Sequence, residues 1–170
     1  MATKKGIALT AAIIGGFVAA SFLVYLIPQS PRSAVVGPSD FGEQLKFAMD
    51  RNQAVIDEFN TSFQSWQNGE IDKDAFKSSA NVAANQVNML ILELEQRQAP
   101  SEWNQSYSLL IQALENYRSC IEKTQEYADY KSGGLADPVQ ERTYLDAISE
   151  TLDKAQSLVQ ESMNVMPKKN

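Results

Sequence analysis

The segment that decides the fold of this chain is Trp103–Ala128, WNQSYSLLIQALENYRSCIEKTQEYA. Apolar and aromatic residues recur in it at alternating steps of three and four, which keeps them on one face of an α-helix. A strand-like period of two does not fit the same window. The pattern predicts one long amphipathic helix whose buried stripe consists of Trp103, Tyr107, Leu110, Leu114, Tyr117, Ile121, Thr124 and Ala128.

Three further segments carry stripes with the same spacing. The first stripe consists of Met49, Asn52, Ile56, Phe59, Phe63 and Trp66. The second consists of Phe76, Ala80, Ala83, Val87, Leu90, Leu94 and Arg97, and the fourth of Leu145, Ile148, Leu152, Ala155, Val159, Ser162 and Met166. Four such stripes bury one another when successive helices run in opposite directions. We therefore predict an all-α fold with an antiparallel up-down four-helix bundle over residues 40–170.

Turn and capping residues separate the four segments. Glycine is favoured at helix C-termini, Asp and Ser at N-caps, and proline either stops a helix or occupies its first position. The predicted boundaries are Asn68–Gly69 and Asp72, Pro100 and Ser101, and Gly133–Gly134 and Asp137–Pro138. Such short connections favour antiparallel neighbours.

A long uncharged segment precedes the predicted bundle. It runs from Gly6 to Pro31, and within it Ile7–Ile27 is almost wholly apolar. At about 1.5 Å per residue the apolar run is about 31 Å long as a helix, which matches the hydrocarbon core of a bilayer. We predict a transmembrane signal-anchor helix over residues 6–27, with a short tail at residues 1–5 and a linker at residues 28–39.

The charges beside this segment predict its orientation. Lys4 and Lys5 precede it, and only Arg32 follows it closely. The positive-inside rule therefore places the N-terminus in the cytoplasm and the helical bundle outside. The predicted protein is a single-pass protein of the cell membrane, with the lipid bilayer as its first partner.

Two other interpretations of the N-terminus remain open. A cleaved secretory signal would use the small residues Val18, Ala19 and Ala20 before Ser21, but it would leave an apolar stub on the mature chain. Lys4-Lys5-Gly6 followed by Ile7 is similar to the cleavage context of archaeal prepilins. That resemblance implies a filament-core helix and a pilin-like surface subunit.

Composition excludes several classes of function. The chain carries 21 acidic and 15 basic residues, and every acidic residue lies from Asp40 onward, so the predicted domain is strongly acidic. Such a surface repels phosphate backbones, which argues against nucleic-acid binding. The chain has no histidine, so Ser-His-Asp triads, Cys-His pairs and His-based zinc or di-iron sites are excluded. We expect no enzyme activity, cofactor or metal.

The single cysteine, Cys120, has no intramolecular disulfide partner. Its place beside Ile121 in an amphipathic helix predicts a small buried hydrophobic residue rather than a reactive thiol.

Some residues fit contact or modification sites. Gly15, Gly16, Ala19 and Ala20 form a small-residue face that suits close packing against another membrane helix, and hence an integral-membrane partner. Tyr130 and Tyr144 lie off the predicted stripes and are candidate contacts outside the membrane, whereas Trp66 and Tyr127 are predicted to fill the end of the core. Asn60 and Asn104 each begin an N-glycosylation sequon.

These features favour a membrane-anchored, non-enzymatic helical interaction module, an accessory subunit or scaffold of a membrane or cell-surface complex. The alternatives are the pilin-like subunit and an extracytoplasmic bundle that binds a small ligand. The ligand would lie near Ala80 and Ala83, where small side chains leave room.

Overall fold

The structure is a computed structural model that describes residues 38–134 and 137–167. Its elements are α1 (Pro38–Gln67), α2 (Lys73–Glu95), α3 (Asn104–Ser132) and α4 (Pro138–Asn164). Within these residues the chain contains four helices and no strand, consistent with the predicted helical bundle. Because α1 begins at Pro38, residues 38 and 39 belong to the first helix rather than to the predicted linker.

Most helix ends follow the predicted capping residues. Asp72 accepts a hydrogen bond from the Ala75 amide, and Asp137 accepts one from Val139 with proline at the first helical position. Gly69, in the turn after α1, has a φ of +74°, a conformation that L-residues with a side chain rarely adopt.

The boundary between α2 and α3 differs from the prediction. The second helix ends at Glu95, before Arg97, and the N-cap of α3 is Trp103 rather than Ser101. The chain between them makes backbone hydrogen bonds of its own, including one of 2.8 Å from the Trp103 amide to the Pro100 carbonyl. Arg97, predicted as a stripe residue, instead donates to the Gln44 side chain of α1 at 2.6 Å.

Side-chain contacts establish the up-down order of the helices. Arg51 pairs with Glu93 between α1 and α2, and Lys77 pairs with Asp129 between α2 and α3. The Ser162 hydroxyl donates to the Ser106 carbonyl between α3 and α4. In each pair a residue in the first half of one helix meets a residue near the end of the next, so successive helices are antiparallel.

The core lies among α1, α2 and α3, and its centre is formed by α3. All eight residues of the predicted α3 stripe are buried. Aromatic pairs connect α1 to α3 along its length, from Phe41 and Trp103 at one end to Phe63 and Tyr127 at the other. At Gly42 an added Cβ would lie 2.9 Å from the Trp103 ring, so this position needs glycine for α1 to sit on that ring.

The fourth helix packs against α3 in a different way. The residues that α4 buries are all small, namely Thr151, Ala155 and Ser162. Small residues of α3 meet this helix: the Ser106 carbonyl accepts from the Ser162 hydroxyl, and the Cys120 sulfur lies 3.8 Å from the Ile148 carbonyl. Small side chains let two helices approach closely, whereas large ones hold them apart. The predicted fourth stripe is therefore only partly correct: Ala155 and Ser162 are buried, but Leu145 is exposed and Leu152 and Val159 are half-buried.

The bundle is consequently open on one side. Close backbone packing joins α1 to α2, α2 to α3, α3 to α4 and, more sparsely, α1 to α3, whereas α1 and α4 make little or no such contact. Bulky aromatic residues set the distance from α1 to α3, and small residues draw α4 onto the flank of α3. The result is a groove between α1 and α4 with α3 as its floor.

The predicted membrane segment, residues 6–27, lies outside the described residues, as do the tail and most of the linker. None of the four described helices is sufficiently long and apolar to cross a bilayer.

Candidate functional site

The groove between α1 and α4 has a volume of about 480 Å³. That volume is within the range of about 300–1,000 Å³ that small-ligand sites occupy. Gln53 of α1 lines one side, Tyr117 of α3 forms the floor, and Asp153, Gln156 and Val159 of α4 lie opposite Gln53. Two further α4 side chains, Ser157 and Gln160, complete the lining.

The hydrogen bonds of the lining residues leave acceptors available in the groove. The Gln53 amide nitrogen donates to Asp57 at 2.8 Å, so its carbonyl oxygen is the group that remains. The Ser157 hydroxyl donates to Glu161 at 3.4 Å. Tyr117 is only 5% exposed, and burial raises the pKa of its phenol, so the floor of the groove stays neutral at ordinary pH.

The helices beside the groove carry most of the negative charge of the bundle. In α1 there are five acidic and two basic residues, and in α4 there are again five and two, a net charge of −3 on each. By contrast α2 has three acidic and two basic residues and α3 has four and three, a net charge of −1 on each. The two helices that flank the groove are therefore the most acidic of the four.

Aromatic side chains gather at the end of the bundle that contains the α1–α2 turn. Trp66 stacks on Phe76 at 5.4 Å and meets Tyr127 edge-on at 5.9 Å. Tyr127 is almost fully buried and Trp66 is half-buried, which confirms the prediction that both fill the end of the core. Tyr127 in turn contacts Tyr144 at 6.2 Å, so the cluster extends to α4.

Tyr130 and Tyr144, the predicted contact residues, are half-buried and packed on each other at 5.2 Å. The Tyr130 hydroxyl donates to the Asp137 carbonyl and accepts from the Asp137 amide, both at 3.0 Å. This pair of bonds fixes the start of α4 against the end of α3. Contact of Tyr130 and Tyr144 with a partner stays a prediction, but both tyrosines also have a structural role.

A polar cluster lies beside these tyrosines. The Tyr127 hydroxyl donates to Glu141 at 2.7 Å, and Lys131 donates to Glu141 at 2.8 Å and to Tyr127 at 3.0 Å. The hydrogen bond from Lys131 lowers the pKa of the Glu141 carboxyl, and the same bond raises the pKa of Lys131. Between α2 and α3, hydrogen bonds from Lys77 and then Lys73 lower the pKa of Asp129.

These ion pairs predict acid sensitivity. A carboxylate whose pKa is lower in the folded than in the unfolded chain contributes stability above its unfolded pKa, and that contribution is lost as the pH falls through the folded value. We expect the melting temperature to decline as the pH falls below 4.5 and 3.8, the ordinary pKa values of glutamate and aspartate side chains, toward the lower pKa values that Glu141 and Asp129 have in the folded chain. Both side chains are at least one-third exposed, so the effect is small and weakens with salt.

Thermal melts between pH 6 and pH 2.5 measure this decline. In the double variant Asp129→Asn, Glu141→Gln the curve of melting temperature against pH should be flatter over the same range. An equal slope in the variant and the natural chain would show that other groups control acid unfolding.

The remaining predicted residues are spread over the molecule. Asn60, within α1, and Asn104, at the first residue of α3, are both exposed, and their glycosylation stays a prediction. Ala80 and Ala83 are buried in the hydrophobic core, away from the groove. Cys120 is buried with its sulfur 3.8 Å from the Ile148 carbonyl, and burial raises the pKa of its thiol. Gly15, Gly16, Ala19 and Ala20 lie outside the described residues.

Sequence reasoning missed the groove. A signal was present, because Ser106, Ala113 and Cys120 are small and spaced by seven on α3, while Thr151, Ala155 and Ser162 supply small residues on α4. Matching small-residue rows indicate a closely packed helix pair.

No protein-family model, curated protein or solved structure matches this chain.

Proposed function

We propose that the chain is a membrane-anchored, non-enzymatic helical interaction module, an accessory subunit or scaffold of a membrane or cell-surface complex. In this proposal residues 6–27 anchor the chain in the cell membrane, residues 1–5 are cytoplasmic, and the bundle lies outside. The apolar run and its flanking lysines support the anchor and the orientation.

The observation that carries the proposal is the open side of the bundle. Leu145 and Met163 of α4 are 40% and 39% exposed, and Leu152 and Val159 are half-buried on the same helix. In a bundle closed between α1 and α4 these side chains would be covered. Contact surfaces combine partly exposed apolar side chains with a polar rim, and here Gln53, Asp153 and Gln160 supply polar groups beside them.

Two surfaces are proposed to contact the partner. Gly15, Gly16, Ala19 and Ala20 would pack against a partner helix in the bilayer, since small residues permit close approach there. Outside the membrane, Leu145 and Met163 now join Tyr130 and Tyr144 as proposed contacts. Leu145 and Met163 are the better probes. Unlike Tyr130, they do not hold the start of α4 against the end of α3 through hydrogen bonds to Asp137.

The test is crosslinking of the full-length chain in native membranes, followed by purification and quantification of any stoichiometric integral-membrane protein. Gly16→Leu, and separately the pair Leu145→Ser, Met163→Ser, should each lower the recovery of the partner several-fold, because interface truncations at a hot spot typically cost more than about 1 kcal/mol. Val139→Ser is the matched control, since Val139 lies on the same helix and is more exposed than either.

Equal recovery with all of these variants, at unchanged melting temperature, would contradict the proposed surfaces. We expect the paired change Tyr130→Ala, Tyr144→Ala to lower the melting temperature as well as the recovery, because it removes the hydrogen bonds to Asp137. It is therefore a weaker test of contact than the α4 pair.

The groove also favours the second candidate function, an extracytoplasmic bundle that binds a small ligand. Its expected position near Ala80 and Ala83 is occupied by core packing, whereas the groove between α1 and α4 has a volume within the range of ligand sites and polar groups in its lining. The pilin-like alternative depends on Lys4 to Ile7, which lie outside the described residues.

A further inference from the structure

We infer that the groove between α1 and α4 is a binding site for an organic cation, a guanidinium or ammonium group carried on a flexible chain. The inference rests on the second candidate function and deepens it, since it names the chemistry of the ligand that the groove would bind. It depends on three properties of the groove: which polar groups line it, what charge surrounds it, and what shape it has.

The lining offers acceptors and a negative charge. Asp153 is the one acidic residue among the lining side chains, and neither lysine nor arginine is among them. Asp153 has no ion-pair partner among the described residues, whereas Asp146, two turns earlier on α4, is paired with Arg142 at 3.6 Å. A carboxylate with neighbouring amide and hydroxyl oxygens suits a ligand that donates several hydrogen bonds and carries positive charge.

The hydrogen bonds around the groove strengthen this preference. The donor groups of Gln53 and Ser157 are directed to Asp57 and Glu161, so each brings an acceptor and a second carboxylate close to the site. An anionic ligand would meet those carboxylates and the net charge of −3 on each flanking helix. A cation is attracted by the same field, which also raises its rate of association.

The site suits an organic cation rather than a metal ion. Calcium takes six to eight oxygen ligands and magnesium is held by one or two carboxylates in a rigid octahedron. The described residues contain no group of three or more side chains placed to hold a metal. A volume of about 480 Å³ with Tyr117 as floor and Val159 on one wall instead accommodates a charged head with an apolar stem.

The test uses the full-length chain in non-ionic detergent and a matched pair of probes, N-acetyl-arginine amide and N-acetyl-citrulline amide. Citrulline has the shape of arginine without its charge. Binding is measured by calorimetry and by the NMR shifts of the side-chain amides of Gln53, Gln156 and Gln160. We expect the arginine probe to bind at least about tenfold more tightly than the citrulline probe, and salt to weaken its binding.

Two variants locate the site. Asp153→Asn should lower the affinity for the arginine probe about tenfold or more, because the charge-assisted hydrogen bond is lost. Asp146→Asn removes the same charge from the same helix outside the groove, and it should change the affinity less than twofold. Equal affinity for both probes, or equal losses in the two variants, would overturn the inference.

Two further probes distinguish a free small molecule from a side chain of a partner as the source of the cation. If the natural ligand is a free small molecule, agmatine will bind at least as tightly as the blocked arginine. If it is a side chain of a partner, an amphipathic helical peptide with one central arginine will bind far more tightly than agmatine and lose that affinity with citrulline. Partner recovery that is unaffected by Asp153→Asn, together with no binding of any cation, would overturn this inference while leaving the proposed function in place.

Discussion

Replacing Leu114 by alanine should lower the free energy of unfolding by about 2–5 kcal/mol, the range for a fully buried leucine that leaves a cavity. Leu114 is completely buried at the middle of α3, the helix that all three others contact. Few neighbours can move to fill the space, because the positions around it on α3 are themselves buried. Urea denaturation of residues 38–170, followed by far-ultraviolet circular dichroism, measures the loss.

Two leucines serve as graded controls for this experiment. Leu152 of α4 is half-buried, so its replacement by alanine should cost about 1 kcal/mol, in proportion to the smaller area removed from water. Leu92 of α2 is 46% exposed, and its replacement should cost less still. A loss at Leu152 equal to that at Leu114 would mean that α4 closes over the groove in solution. A chain from residue 38 without helical signal would contradict an independently folding bundle.

The pattern of side chains along α3 predicts its structure well. A helix surrounded by three others buries apolar residues over a wide face, and a stripe of eight residues at steps of three and four defines such a face without ambiguity. The sequence predicts a helix end correctly where a single residue caps it. Asp72 and Asp137 do so by accepting hydrogen bonds from backbone amides. The start of α3 is missed because backbone turns, and not a side-chain cap, form it.

The groove is harder to predict because it depends on two interhelical distances. The distance from α1 to α3 is the larger, and the distance from α4 to α3 is the smaller. Heptad spacing shows which face of a helix is buried, but not how close the facing helix comes. Here Phe41, Trp103 and Phe63 keep α1 away from α3, while Ala155 and Ser162 let α4 approach it. Only the combination leaves a space between α1 and α4. The same logic explains why Leu145, although on the predicted stripe, is exposed.

The polar lining of the groove follows from the same difference in how α1 and α4 pack on α3. Gln53, Asp153 and Gln160 look like ordinary solvent-facing residues in the sequence, and each belongs to a different helical turn. Gln53 faces the other two only because α1 and α4 flank a gap. A polar residue on an amphipathic helix is therefore placed beside a groove by the packing of its apolar neighbours.

Replacing Phe76 by alanine should destabilise the bundle by about 3–5 kcal/mol, the range for a large buried aromatic residue. Phe76 is completely buried on the first turns of α2, and its ring lies 6.0, 5.7 and 5.4 Å from the rings of Phe59, Phe63 and Trp66. Removing it leaves three aromatic side chains of α1 without their common partner. The cavity lies at the end of the bundle where Tyr127 also packs, so the α3 end is loosened with it.

The matched control is Phe47→Ala on α1. Phe47 is 62% exposed, with the Arg51 guanidinium 5.6 Å from its ring centre, and its loss should cost less than about 1 kcal/mol. Urea denaturation monitored by tryptophan fluorescence compares the two, because Trp66 stacks on Phe76 and reports the local packing. If Phe76→Ala were no more costly than Phe47→Ala, the aromatic cluster would not contribute to the stability of the core, and the spacing of α1 from α3 would need another cause. If instead the predicted loss is found, the aromatic cluster is a main source of that stability. The groove then lies between helices that this cluster holds in place.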